Sequence, residues 1–96
     1  MSPKNKKKLN ILIKKLDNLD NKLLNLIKTR TEIIKNVISL KNNKKEIVDK
    51  KRINYILKKI KTASIKKKID PSITNKIWKN MIWSYIAYER KLFNKK

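Results

Sequence analysis

The chain has 96 residues, with 28 Lys or Arg against 7 Asp or Glu and a formal net charge of +21. It contains no Cys and no His, which excludes disulfides, thiolate nucleophiles, imidazole bases and the usual zinc ligands. No metal or cofactor is expected, and any chemistry falls to Lys, Arg, Asp, Glu, Tyr and Ser. A charge of this size ordinarily points to a phosphate backbone, yet the cations are nearly all Lys, and Lys, Asn and Ile dominate the chain, as an A+T-rich genome dictates wherever a fold tolerates them. Nucleic acid is therefore not the expected partner. Only Arg30, Arg52 and Arg90 are arginines, so a retained Arg points to a site that needs the planar fork for a carboxylate.

In chain order, the basic run Lys4 to Lys8 leads into Leu9 to Ile13, which Lys14 and Lys15 interrupt before it reaches the length of a signal peptide or a membrane span. A cytoplasmic protein without membrane contact is expected. From Leu9 the apolar positions Leu12, Leu16, Leu19, Leu23 and Leu26, then Arg30, then Ile33, Val37 and Leu40 alternate in steps of three and four. This spacing predicts one helix of about 33 residues, roughly 50 Å long. A compact domain of this size has a radius of gyration near ~12–13 Å, so the helix overshoots its own globule and its surplus must pack on another chain.

The stretch Lys41 to Val48 is polar, and Asp49 is an N-cap for a second helix carrying Ile53, Ile56, Leu57 and Ile60 that fades near Lys68. Asp70-Pro71 supplies a cap and a proline at the first helical position. A third helix follows, with Ile77, Trp78, Met81, Ile82, Tyr85, Leu92 and Phe93 on its apolar face. The absence of Gly and the placing of the only prolines at Pro3 and Pro71 leave no punctuation for a sheet. The prediction is a single all-α domain over 1–96, three helices per chain, with 1–6 and 94–96 as flexible tails.

Three charged residues depart from a plain bundle. Arg30 occupies a seam position between Leu26 and Ile33, where it is either a register-setting polar residue of a dimer seam or the ligand of an anion. Lys41, eleven residues on, projects from nearly the same helix face about 16 Å further along; taken alone it reads as a solvated lysine at a helix end. Glu89 shares the apolar stripe with Tyr85 and Met81; its plain reading is a surface pair with Arg90 or Lys91, or a partner for a cation on another helix. Trp78, Trp83, Tyr85 and Tyr88 read as core and interface rather than as a stacking platform for bases.

The run Leu16 to Leu24, then Thr29-Arg30, Lys41, Asp49, Arg52, Ile69-Asp70-Pro71 and Ile77-Trp78, resembles the all-α class of chorismate mutases over nearly the whole chain. The stretch Met81 to Glu89 is similar also to the related isochorismate-pyruvate lyases. The resemblance implies an intertwined helical homodimer whose two pockets are each lined by both subunits. It also implies that a dicarboxylate, chorismate, is rearranged to prephenate in Phe and Tyr biosynthesis. On this resemblance Arg30 grips a substrate carboxylate, Lys41 bonds the ether oxygen and a carboxylate, and Glu89 is the second donor to that oxygen. Arg52 approaches the other carboxylate, Asp49 matches the acid opening the second helix, and Tyr85 falls where the mutases carry a serine. The family's arginine near the start of the first helix falls at Ile13, with Lys14 beside it as a substitute. Ile53 and Tyr85 resemble the lyase branch, which would release salicylate and pyruvate from isochorismate. From other classes, a basic nucleic-acid-binding helical dimer and a structural coiled-coil adaptor are the rival readings.

Overall fold

In the computed structural model, residues 1–95 are described, and they form three α-helices in the order α1 (Pro3–Leu40), α2 (Lys50–Lys66) and α3 (Pro71–Asn94), with a 3-10 turn over Lys44–Glu46 between the first two. No strand occurs among the described residues. The chain divides into two compact units, Met1–Ile33 and Ile34–Lys96.

The first unit is helix throughout from Pro3, so α1 begins inside the run that the sequence marks as a tail. The cause is local. The Ser2 hydroxyl accepts the Asn5 N–H at 3.2 Å, the Ser2 carbonyl accepts the Lys6 N–H at 2.9 Å, and proline at the first helical position has no N–H to leave unsatisfied. Along this stretch the expected apolar stripe is present and uncovered: Leu12, Leu16, Leu19, Leu23 and Leu26 are each more than half exposed.

In the second unit the core consists of Ile38 from the end of α1, Ile47 from the connection, and Ile82 and Ile86 from α3, with Ile53, Ile56 and Leu57 of α2 packed against them. Asp49 caps α2 as expected, its Oδ1 accepting the Arg52 N–H at 3.0 Å. Where α2 ends, Ile69 N–H reaches the Ser64 carbonyl at 2.9 Å and Lys68 N–H the Ile65 carbonyl at 3.1 Å. This is the paired bonding of a Schellman stop, whose left-handed position falls on Lys68 at φ 60°. Asp70 then caps α3 through Ser72 N–H at 2.9 Å, with Pro71 in the first turn. A part-buried hydroxyl pair ties the two helices together: Ser64 Oγ, which donates to the Ile60 carbonyl at 2.6 Å, lies 2.7 Å from Thr74 Oγ1.

Two details differ from the sequence reading of α3. Ile77 is 52% exposed within the single chain, whereas Ile86 joins the core. At the C-terminus Asn94 is the last residue of α3 and Lys95 its cap, while Lys96, the last residue of the expected tail, lies outside the described residues.

Candidate active site

Of the candidate residues, Lys14 and Arg30 belong to the first unit, and Lys41, Asp49, Arg52, Tyr85 and Glu89 to the second. Lys14 is exposed, as is its neighbour Ile13. Arg30 is partly buried, ten residues before the end of α1, and its Nε is withdrawn from solvent. Withdrawing part of a guanidinium from water is costly unless acceptors or anions meet it.

Lys41 follows the last residue of α1, three positions after the core residue Ile38, and is partly buried. Its Nζ donates to the Glu46 carbonyl at 2.8 Å. Together with Asp49, Lys45, Lys50 and Lys51 it lines an open groove of about 610 Å3. Asp49 spends one carboxylate oxygen on the α2 cap, so its role at this point is structural whatever else it meets. Arg52 is exposed, its guanidinium 5.4 Å from the centroid of the Tyr55 ring, and Lys59 Nζ lies 5.9 Å from the same ring. Both spacings are within reach of a cation–π attraction. Tyr55 was not singled out in the sequence, since a lone tyrosine on a lysine-rich helix gives no signal of its own.

On α3, Tyr85 is partly buried and Glu89, one turn further on, is only 6% exposed. Glu89 and Ser64 are the buried polar residues of the described chain. Ile82, Ile86 and Glu89 lie on one face by helical spacing, so the apolar packing that buries the two isoleucines also carries the carboxyl inward. Burial of this kind favours the neutral form of an acid unless cations or donors oppose it. Among the described residues no group of three or more Asp or Glu side chains is placed to hold a metal ion, and no helix is long and apolar enough to cross a membrane.

The family model of chorismate mutase type II matches residues 12–90. The chain belongs to that family. Every candidate residue named above falls inside the matched stretch, including Lys14 near its start and Glu89 next to its end. Neither a curated protein nor a solved structure matches the chain. Chorismate mutases of this type are isomerases.

Proposed function

We propose that this protein is a chorismate mutase that converts chorismate to prephenate in Phe and Tyr biosynthesis, acting in the cytoplasm as an intertwined homodimer. The observation that carries the reading is the family match across residues 12–90. In the reaction the ether C–O bond breaks as a C–C bond forms within one molecule, so no nucleophile, metal or net proton transfer is needed. What the enzyme must supply is a fixed conformer and donors preorganised around the oxygen that gains negative charge. Arg30 grips one carboxylate bidentately, Arg52 approaches the other or supports the pocket wall, and Lys14 adds a cation across the dimer from beside Ile13, the position where the family carries arginine. Lys41 and a protonated Glu89 meet the ether oxygen. The burial of Glu89 supports that assignment, because an ionised carboxylate there would repel the developing charge. Asp49 and Tyr85 shape the wall. The net positive charge draws the dianion inward.

A second reading stays within the fold: Ile53 and Tyr85 resemble the isochorismate-pyruvate lyases. Assay of the purified protein with both substrates separates the two. Prephenate from chorismate, with no salicylate from isochorismate, is the expected result; the reverse makes it a lyase, and turnover of neither leaves a helical binding protein.

A further inference from the structure

Lysine brings a point charge on a flexible four-carbon stem, so a lysine that must meet one oxygen needs something to aim it. In this chain the backbone around Lys41 provides that. The Lys41 Nζ donates to the Glu46 carbonyl at 2.8 Å, and that carbonyl belongs to the last residue of the 3-10 turn Lys44–Glu46.

The direction of the carbonyl is set from both sides. Before it, Asn43 adopts an extended backbone at φ −135° and ψ 136° and caps the turn, its Oδ1 accepting the Lys45 N–H at 2.9 Å. The Asn43 carbonyl accepts the Glu46 N–H at 3.0 Å. After it, Ile47 is 4% exposed in the core beside Ile38, and its N–H donates to the Lys44 carbonyl at 3.1 Å. Ile38 in turn accepts the Lys41 N–H at 3.2 Å. Both ends of the loop that holds the ammonium are thus anchored in one apolar cluster, and its middle is closed by an asparagine cap.

We infer that the Asn43-capped turn is a positioning device for Lys41, in which the Glu46 carbonyl orients the ammonium and Asn43 holds that carbonyl in place. An ammonium has three donors in fixed tetrahedral relation. Committing one to a carbonyl held by the turn removes rotamer freedom from the side chain before substrate arrives, which is the condition for preorganised stabilisation. Asn43 is a positioning residue here, acting through Lys41. The inference rests on Lys41 as a donor to the ether oxygen.

The test is a double-mutant cycle on the full chain, Asn43→Ala combined with Lys41→Gln, with Asn43→Asp as the conservative control. Mutase kinetics and calorimetric binding of a bicyclic dicarboxylate transition-state analogue are both read. Asn43→Ala is expected to lower kcat roughly tenfold, since misplacing a donor costs less than deleting one, and to weaken the analogue by a similar factor while KM changes little. Asn43→Asp, which keeps the acceptor, returns both to near wild type. In the Lys41→Gln background Asn43→Ala costs nothing further in analogue binding. If Asn43→Ala leaves kcat and analogue affinity unchanged, or weakens the analogue equally in both backgrounds, the turn does not act through Lys41 and the inference is overturned. Failure of the proposed function is distinguishable, because wild-type protein would then turn over no chorismate and bind no analogue.

Discussion

Glu89 presents the sharpest electrostatic problem in the chain. It is only 6% exposed, and if it meets the ether oxygen as proposed it helps only as the protonated acid. The expected outcome is that Glu89→Gln, a donor with no proton to lose, retains or raises kcat at neutral pH. Mutase rates of the two proteins decide it; an inactive Glu89→Gln would make Glu89 an ionised structural partner. At Arg30 the issue is shape rather than charge. If Arg30 grips a carboxylate as proposed, Arg30→Lys loses the bidentate contact, and the loss of a charge-assisted bond worth ~1.5–3 kcal/mol should lower kcat/KM between about tenfold and a hundredfold. Lys14→Arg is expected to hold or raise kcat/KM. Equal and mild losses in both variants would remove Arg30 as a substrate ligand.

At the level of the helices, the stops and starts have separable causes. Lys68 takes the left-handed position that ends α2, at φ 60°, a conformation in which Cβ crowds the backbone at a cost of about 1 kcal/mol and which glycine adopts freely. The chain has no glycine at all. Lys68→Gly should therefore stabilise the fold by about 1 kcal/mol, which thermal unfolding would show as a rise in Tm of several degrees. Across the same turn, the Ser72 backbone N–H, and then its side chain, hold the Asp70 carboxyl below its ordinary pKa of 3.8. A depressed folded-state pKa contributes stability above the unfolded value and loses it as pH falls through the folded one. The Tm gap between wild type and Asp70→Ala is thus full near neutrality and closes on acidification below about pH 4; a gap that persists in acid would show that the carboxylate is not the cap. These caps are also why so much of the fold was legible: Asp49 and Asp70-Pro71 act within three residues of themselves and need no tertiary context. The start of α1 is not marked by periodicity, because Ser2 and Pro3 precede a lysine run with no apolar period. The turn Lys44–Glu46 was hidden for the opposite reason, since burial of Ile47 against α3 shapes it. Arg30 and Glu89 stood out as charges in apolar stripes, whereas a carbonyl aimed at Lys41 leaves no mark in a sequence.

The molecule as a whole is short of core. Its buried hydrophobics are four isoleucines, and no large side chain is fully buried among the described residues, while 38 residues of α1 extend over about 57 Å at 1.5 Å per residue. A domain this small buries only about two thirds of its unfolded surface even when well packed. The exposed leucines from Leu12 to Leu26 are the surface that the proposed homodimer would cover, since a heptad-spaced stripe suits another stripe of the same kind. Charge sets the conditions. Each chain carries +21, so two copies repel over a range of about 10 Å at 0.1 M salt and less as salt is added. The dimer should accordingly tighten with ionic strength, whereas capture of the dianionic substrate should weaken, giving opposite salt dependences for assembly and for kcat/KM. Sedimentation equilibrium from low to high salt, paired with initial rates at low substrate, reads both. The expected mass is twice the 11.5 kDa of one chain, with Leu19→Lys shifting it toward monomer and lowering Tm in a concentration-dependent way. A folded monomer at micromolar concentration in high salt would mean that the stripe has no second copy to meet, and with it the pocket shared between subunits, and the part assigned to Lys14, would fall.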